Sequence, residues 1–276
     1  MIQDKKILYI LFPCVIFLLV FFLLPLFVLV FNSIYQPEQG FNFESYLKFF
    51  QLRSSNRAYF RSLYIGVFVT LFAIILSYPA AIAIISIKKK SLRTLVMTLV
   101  VLPLMTNPVA RTFAWLIILG KNGLINNTFI SLGLIEKPVK LLYTEGAIFV
   151  GLLQLFMPLM ILSLISSLEN VREDYELAAK SLGANSIVTF FRIKFPLTVE
   201  GMIIGGTLVF TGCITAYVTP SLLGGSRVLT LSTLLYQKAY VTLDWTMATT
   251  IAMIMFLTTY VINLVLKRVG RLGTNR

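Results

Sequence analysis

"EDYELAAKSLGANSIVTFFRIKFP", residues Glu173–Pro196, is a polar segment in a chain that is otherwise mostly apolar. Tyr175, Ala178, Ala179 and Leu182 recur at i, i+3, i+4 and i+7, which puts them on one face of a helix. Glu173, Asp174 and Glu176 open that helix and Lys180 lies near its end, the distribution favoured by the helix dipole. Gly183 supplies the left-handed residue that stops it. Asn185 is the expected N-cap of a second helix through "SIVTFFRIKF", which has to end or bend near Pro196. The segment reads as a short, capped helix–turn–helix hairpin with two alanines small enough to let another surface approach closely. An amphipathic loop lying on lipid headgroups would have the same periodicity, and the pattern alone does not separate the two.

The surroundings of this hairpin are those of a membrane protein. Of 276 residues, 58% are hydrophobic and 13% charged, against about 25% charged in an average soluble domain. Such a chain could not cover a water-facing surface. The net charge of +13 is carried by short clusters between apolar runs. That pattern suits anionic headgroups and excludes nucleic acid, which needs a continuous basic patch interleaved with aromatics. Cys14 and Cys213 sit inside apolar runs and histidine is absent, so neither a disulfide framework nor a Cys/His metal site is expected. The apolar stretch after Lys5 and Lys6 is too long for a signal-peptide core and lacks a cleavage site, so it reads as a retained first span.

Crossing about 30 Å of hydrocarbon takes about 20 helical residues. Six stretches qualify: 7–31, 62–87, 94–119, 146–168, 199–223 and 246–266. The expected fold is all-α, an integral membrane protein of six transmembrane helices forming one domain over residues 1–276. Fourteen Lys and Arg fall on the side that holds both termini, the 88–93 loop and the 169–198 loop, and ten on the other. This bias places both termini and the hairpin in the cytoplasm. The outer loops are then 32–61, 120–145 and 224–245, and "FESYLKFF" in the first has the spacing of a short interfacial helix. Pro25, Pro79, Pro103, Pro108, Pro158 and Pro220 lie in or beside spans, where each removes a backbone donor and favours a kink.

The hairpin resembles the signature cytoplasmic loop of permease subunits in bacterial ATP-binding-cassette importers: E-A-A, three residues, G, nine residues, I-x-L-P. Ala178, Ala179, Gly183, Ile193 and Pro196 fall at the family spacing. Leu177 stands at the glutamate position, with Glu176 immediately before it, and Phe195 stands at the leucine position. "NPVARTFAW" (107–115), "NGLINN" (122–127), "YVTPSLLGG" (217–225) and "LDWTMATT" (243–250) look like the spermidine/putrescine branch. The resemblance implies a type I importer permease of the bacterial cytoplasmic membrane. Its partners would be two cytoplasmic ATPase subunits, a second homologous permease, an extracytoplasmic solute-binding protein and the lipid bilayer. Residues 169–198 would form the coupling loop, with Glu176, Ala178, Ala179, Gly183, Ile193 and Pro196 meeting the ATPase. Related branches carry ferric iron, sulfate or opines, so the solute stays open.

No phosphate-binding loop, serine elbow or histidine-dependent motif occurs. The chain is therefore expected to need no cofactor and to be non-catalytic, with any ATP hydrolysis on a partner. An ion-coupled secondary transporter is the alternative. It normally needs a carboxylate deep in the membrane, and the six spans contain only Glu200, near the end of one of them. Arg111 lies eight residues into the third span, about 12 Å at helical rise, either on the substrate pathway or snorkelling to headgroups. Trp115 is a pathway residue or an interfacial anchor. Tyr217 and Thr219 are further pathway candidates. Asp244 could lend negative potential to the mouth or cap the helix that begins at Trp245. Gly201 and Gly205 form a G-x-x-x-G stripe that suits either a seam with the second permease or packing within the chain.

Overall fold

In lipid, backbone amides and carbonyls must be paired within the segment itself, and most of the described residues are helical. The computed structural model describes residues 11–36 and 40–274, without the side chains of Gln36, Glu173, Glu176, Lys180, Val269 and residues 271–274. Lys5, Lys6 and the beginning of the expected 7–31 span lie outside the described residues. Among the described residues, four helices can cross a membrane by length and composition: Leu11–Ile34, Arg53–Ile85, Glu145–Glu169 and Trp245–Arg268. Two bent pairs raise the number to six: Lys90–Met105 with Pro108–Ser131, meeting at 95°, and Ser186–Leu197 with Val199–Thr215, meeting at 60°.

The chain divides into two compact sets of residues. The first runs to Asn56 and includes Leu234–Leu257. Its first helix ends in a two-stranded antiparallel turn, Tyr35–Gln36 against Gly40–Phe41. The Asn42 carboxamide then accepts from the Glu44 amide at 2.6 Å and starts the helix Glu44–Gln51, the short element expected from "FESYLKFF". Lys48 pairs with Glu44 one turn away at 2.7 Å, and the Tyr46 hydroxyl donates to Ser33 Oγ at 2.9 Å.

The second set comprises Arg57–Thr233 and the residues from Thr258 onward. Its centre is the Glu145–Glu169 helix, which buries Ile148, Leu152, Met160 and Leu164 almost completely. A helix apolar on all sides has to be surrounded. This one packs against Val199–Thr215, Val218–Gly224, Lys90–Met105 and Pro108–Leu119. Glycines set the closest approach. A Cβ on Gly201 would come within 2.4 Å of Ser167 Cβ, one on Gly205 within 2.6 Å of Met160 Sδ, and one on Gly212 within 2.4 Å of the Phe156 ring. Ser163 Oγ also donates to the Gly201 carbonyl at 2.8 Å. Of the two roles open to the G-x-x-x-G stripe, packing within the chain is the one these contacts occupy.

Two expected spans are each split. The 94–119 run breaks at Thr106–Asn107, where Asn107 caps the next helix by accepting from the Val109 amide at 2.8 Å and Pro108 occupies its first turn. Hydropathy cannot see this break, because the residues on both sides are apolar. The 199–223 run breaks after Thr215 and resumes at Val218. Ser232 Oγ donates to the freed Ala216 carbonyl at 2.6 Å.

Candidate functional site

The hairpin expected between Glu173 and Pro196 is present. Its first helix is Glu173–Ser181. The Ala184 amide reaches back to the Ala179 carbonyl at 3.0 Å and the Leu182 amide to the Ala178 carbonyl at 3.1 Å. These bonds close the helix as a glycine-terminated turn requires. Gly183 sits at φ +83°, and no atom lies within 4 Å of where its Cβ would be. Glycine is needed there for its backbone and not for want of space. Asn185 then caps the second helix by accepting from the Val188 amide at 2.8 Å.

Ala178, Ala179, Gly183, Ile193 and Pro196 all line one cleft of about 950 Å³ between the two arms. Spacing along the sequence gathered these five residues, and the fold brings them to one surface. Ala179 is buried and Ala178 exposed. The side chain of Glu176 lies outside the described residues. The hairpin also exposes apolar side chains that an isolated polar loop would not: Leu182 is 89% exposed, Ile187 68% and Phe191 62%.

At its base the hairpin is pinned. The second arm winds through a π-helical stretch, Phe190–Lys194, before the 60° bend at Thr198. Thr198 Oγ1 donates to the Lys194 carbonyl at 2.9 Å. Its remaining capacity is as an acceptor, and the buried Tyr78 hydroxyl lies 2.6 Å away. The Tyr78 ring meets Phe190 edge-on at 5.3 Å and lies 6.1 Å from Phe195. Beside the hairpin, Arg93 is ion-paired with Glu169, joining the start of Lys90–Met105 to the end of the central helix. Sequence reading missed Tyr78, Thr198 and this ion pair, because their partners lie 76 to 120 residues away and no local pattern links them.

The pathway candidates fall in two places. Arg111 Nη1 donates to the Pro103 carbonyl at 2.5 Å. That carbonyl also accepts from Thr106 Oγ1 at 2.7 Å, so the guanidinium sits on the closing turn of the broken helix. Thr112, one residue further, places its hydroxyl 3.3 Å from that of Thr219, and both are buried. Trp115 Nε1 points to Gln154 Oε1 at 3.5 Å. Gln154 is a polar side chain on the central helix that sequence reading passed over, although an amide inside an apolar run was the signal for it. Tyr217 stands at the break that precedes Val218–Gly224. Asp244 belongs to the first set of residues. Its Oδ1 accepts from the Met247 amide at 3.1 Å and its Oδ2 lies 3.4 Å from Lys238 Nζ, so it caps the Trp245–Thr274 helix.

Among the described residues, no group of three or more Cys, Asp and Glu side chains could hold a metal ion. The polar groups present bond to backbone, hold helix ends and present a cleft. They suit mechanical coupling and passage of a solute.

Comparison with known proteins follows the same lines. The profile of the family described as "Binding-protein-dependent transport system inner membrane component" matches residues 73–272. The spermidine/putrescine transport system permease protein PotB of Haemophilus influenzae is 32% identical over 234 residues, covering 82% of this chain and 81% of that protein. Its namesake from Escherichia coli K12 is 31% identical over 184 residues, 67% of this chain and 66% of that protein. Among solved structures, a bacterial alginate ABC transporter in complex with an alginate pentasaccharide-bound periplasmic protein superposes with a TM-score of 0.81 at 18% identity, covering 99% of this chain and 96% of that one. At this identity the likeness is one of fold.

Proposed function

The chain belongs to the family of binding-protein-dependent transport system inner membrane components, and on that footing we propose that it is one permease subunit of an ATP-driven importer for a polyamine, spermidine or putrescine. It is a multi-pass protein of the inner membrane. Its termini, the 88–93 loop and the hairpin face the cytoplasm, and residues 1–276 act as one membrane domain. A solute-binding protein delivers the polyamine outside, and a second permease completes the pathway. Two ATPase subunits grip the hairpins and hydrolyse ATP, and this chain supplies no catalysis.

The observation that carries the reading is the Gly183 hairpin, a capped turn with five signature positions on one cleft and bare apolar side chains around it. A rigid element is what a motor needs as a handle. Closure of the ATPase dimer displaces the hairpin. The bend at Thr198 and its Tyr78 pin pass that displacement to Val199–Thr215, which packs on the central helix. Glu176, next to the position where the family pattern has glutamate, takes part in the grip. Trp115, Tyr217 and Thr219 contribute to the pathway wall, Arg111 holds the helix break beside it, and Asp244 sets the start of the last span.

The test is transport in proteoliposomes holding the complete complex. Spermidine should accumulate only when the binding protein is outside and ATP reaches the ATPase subunits. Accumulation driven by a proton or sodium gradient without ATP would refute the reading.

A further inference from the structure

A second concave site lies on the face that the central helix shares with Val199–Thr215. Ser163, Ser166, Ser167 and Asn170 occur at i, i+3, i+4 and i+7 on the last turns of the central helix, so they share one of its faces. Opposite them stand Glu200 and Gly201. Together they line the polar half of a groove of about 540 Å³, whose other half is apolar, with Leu159, Leu162, Ile204 and Leu208. The volume falls in the range of about 300–1,000 Å³ usual for small-molecule sites.

The polar half is not fully used by the fold. Ser163 Oγ is engaged with the Gly201 carbonyl, and the Asn170 amide donates to the Ser166 carbonyl at 3.0 Å. Glu200 is exposed and forms no ion pair with any described residue. It is also the one carboxylate within the six sequence spans. Carboxylate, hydroxyls and carboxamide oxygen form an acceptor-rich floor, continuous with a strip of leucine and isoleucine. A solute of alternating ammonium groups and methylene runs has the same make-up. Its cation would take Glu200 and the serine hydroxyls, and its methylenes would cover the apolar strip.

We propose that this groove is a transit site for an alkylammonium cation at the cytoplasmic end of the pathway, with Glu200 as its charge partner. The proposal rests on the polyamine reading above and deepens it. Affinity for substrate from outside is set by the binding protein, so a site at the exit governs turnover. A charge-assisted contact is about twice as strong as a neutral one, and losing it lowers the occupancy of the exit site by the transiting cation, which should slow passage into the cytoplasm.

The test is spermidine uptake by the complete complex in proteoliposomes, comparing wild type with Glu200→Gln, Glu200→Asp and Ser166→Ala. Glu200→Gln should lower the maximal rate about tenfold, the lower end of what one hydrogen bond to a charged group is worth, with KM and assembly unchanged. Glu200→Asp should restore most of the rate, and Ser166→Ala should lower it by a smaller factor. If wild-type complex moves no spermidine, the polyamine reading itself fails. If wild type transports and Glu200→Gln is equally fast, only the groove fails. A Glu200→Gln complex that does not assemble with the second permease would make the groove a subunit seam and overturn the proposal. The ammonium could also belong to a lipid headgroup. An effect of Glu200→Gln confined to vesicles containing phosphatidylethanolamine, and lost in pure phosphatidylglycerol, would show that and overturn the transit role.

Discussion

Replacing Gly183 isolates backbone strain from every other effect. Its φ of +83° lies in the left-handed region and its Cβ position is empty to 4 Å. An added Cβ therefore meets nothing, and its cost is conformational, about 1–2 kcal/mol for an L-residue held left-handed. One or two kcal/mol is a factor of about 5–30 in an equilibrium, here between the formed turn and an unravelled one. Asparagine tolerates this region better than other residues, and β-branched valine tolerates it worst. We expect Gly183→Asn to keep most transport, Gly183→Ala to lose part of it, and Gly183→Val to lose about 5–30-fold if the formed turn is what the ATPase engages. Spermidine uptake should be normalised to the abundance of the permease in the membrane. Normal uptake by Gly183→Val, or Gly183→Asn failing as badly as Gly183→Val, would show that the left-handed turn at residue 183 does not govern coupling.

Other residues give equally direct outcomes. Thr198→Val leaves the buried Tyr78 hydroxyl without an acceptor and should cost about 1–3 kcal/mol, whereas Tyr78→Phe removes the donor and should cost about 1 kcal/mol; melting of the detergent-purified protein gives the order. Gly201→Ala drives a Cβ into Ser167 Cβ at 2.4 Å while Gly206→Ala meets only Thr70 at 3.4 Å. The first should destabilise by about 1–3 kcal/mol and the second should be nearly neutral, by the same melting assay. Arg111→Ala removes the charged donor from the Pro103 carbonyl at the helix break and should change uptake kinetics, while Arg111→Lys, which keeps a donor, should be milder; unchanged kinetics in Arg111→Ala would remove this residue from the pathway.

The hairpin was legible in the sequence because each of its instructions is local. Periodicity wrote the first helix, glycine its stop and asparagine the next start, and the structure has Gly183 left-handed and Asn185 bonded to Val188. The short helix at Glu44–Gln51 was legible for the same reason. The breaks at Thr106–Asn107 and after Thr215 were not, because hydropathy averages over apolar residues on both sides. What heals them, Arg111 on Pro103 and Ser232 on Ala216, depends on the fold around them. The Tyr78–Thr198 pin is 120 residues apart in sequence and leaves no trace in any window. The glycine stripe was visible, but which surface it meets was set by Ser167, Met160 and Phe156 on another helix.

The account turns on the hairpin being gripped by a separate ATPase. Leu182 is the most direct reporter, since it is 89% exposed beside the turn, and of the native thiols Cys213 is buried. In a Cys14→Ala background, Leu182→Cys should crosslink to an ATPase subunit in native membranes with a short bifunctional reagent, and adding ATP should change the yield. A Leu182→Cys complex that transports normally yet never crosslinks to an ATPase subunit would contradict the account.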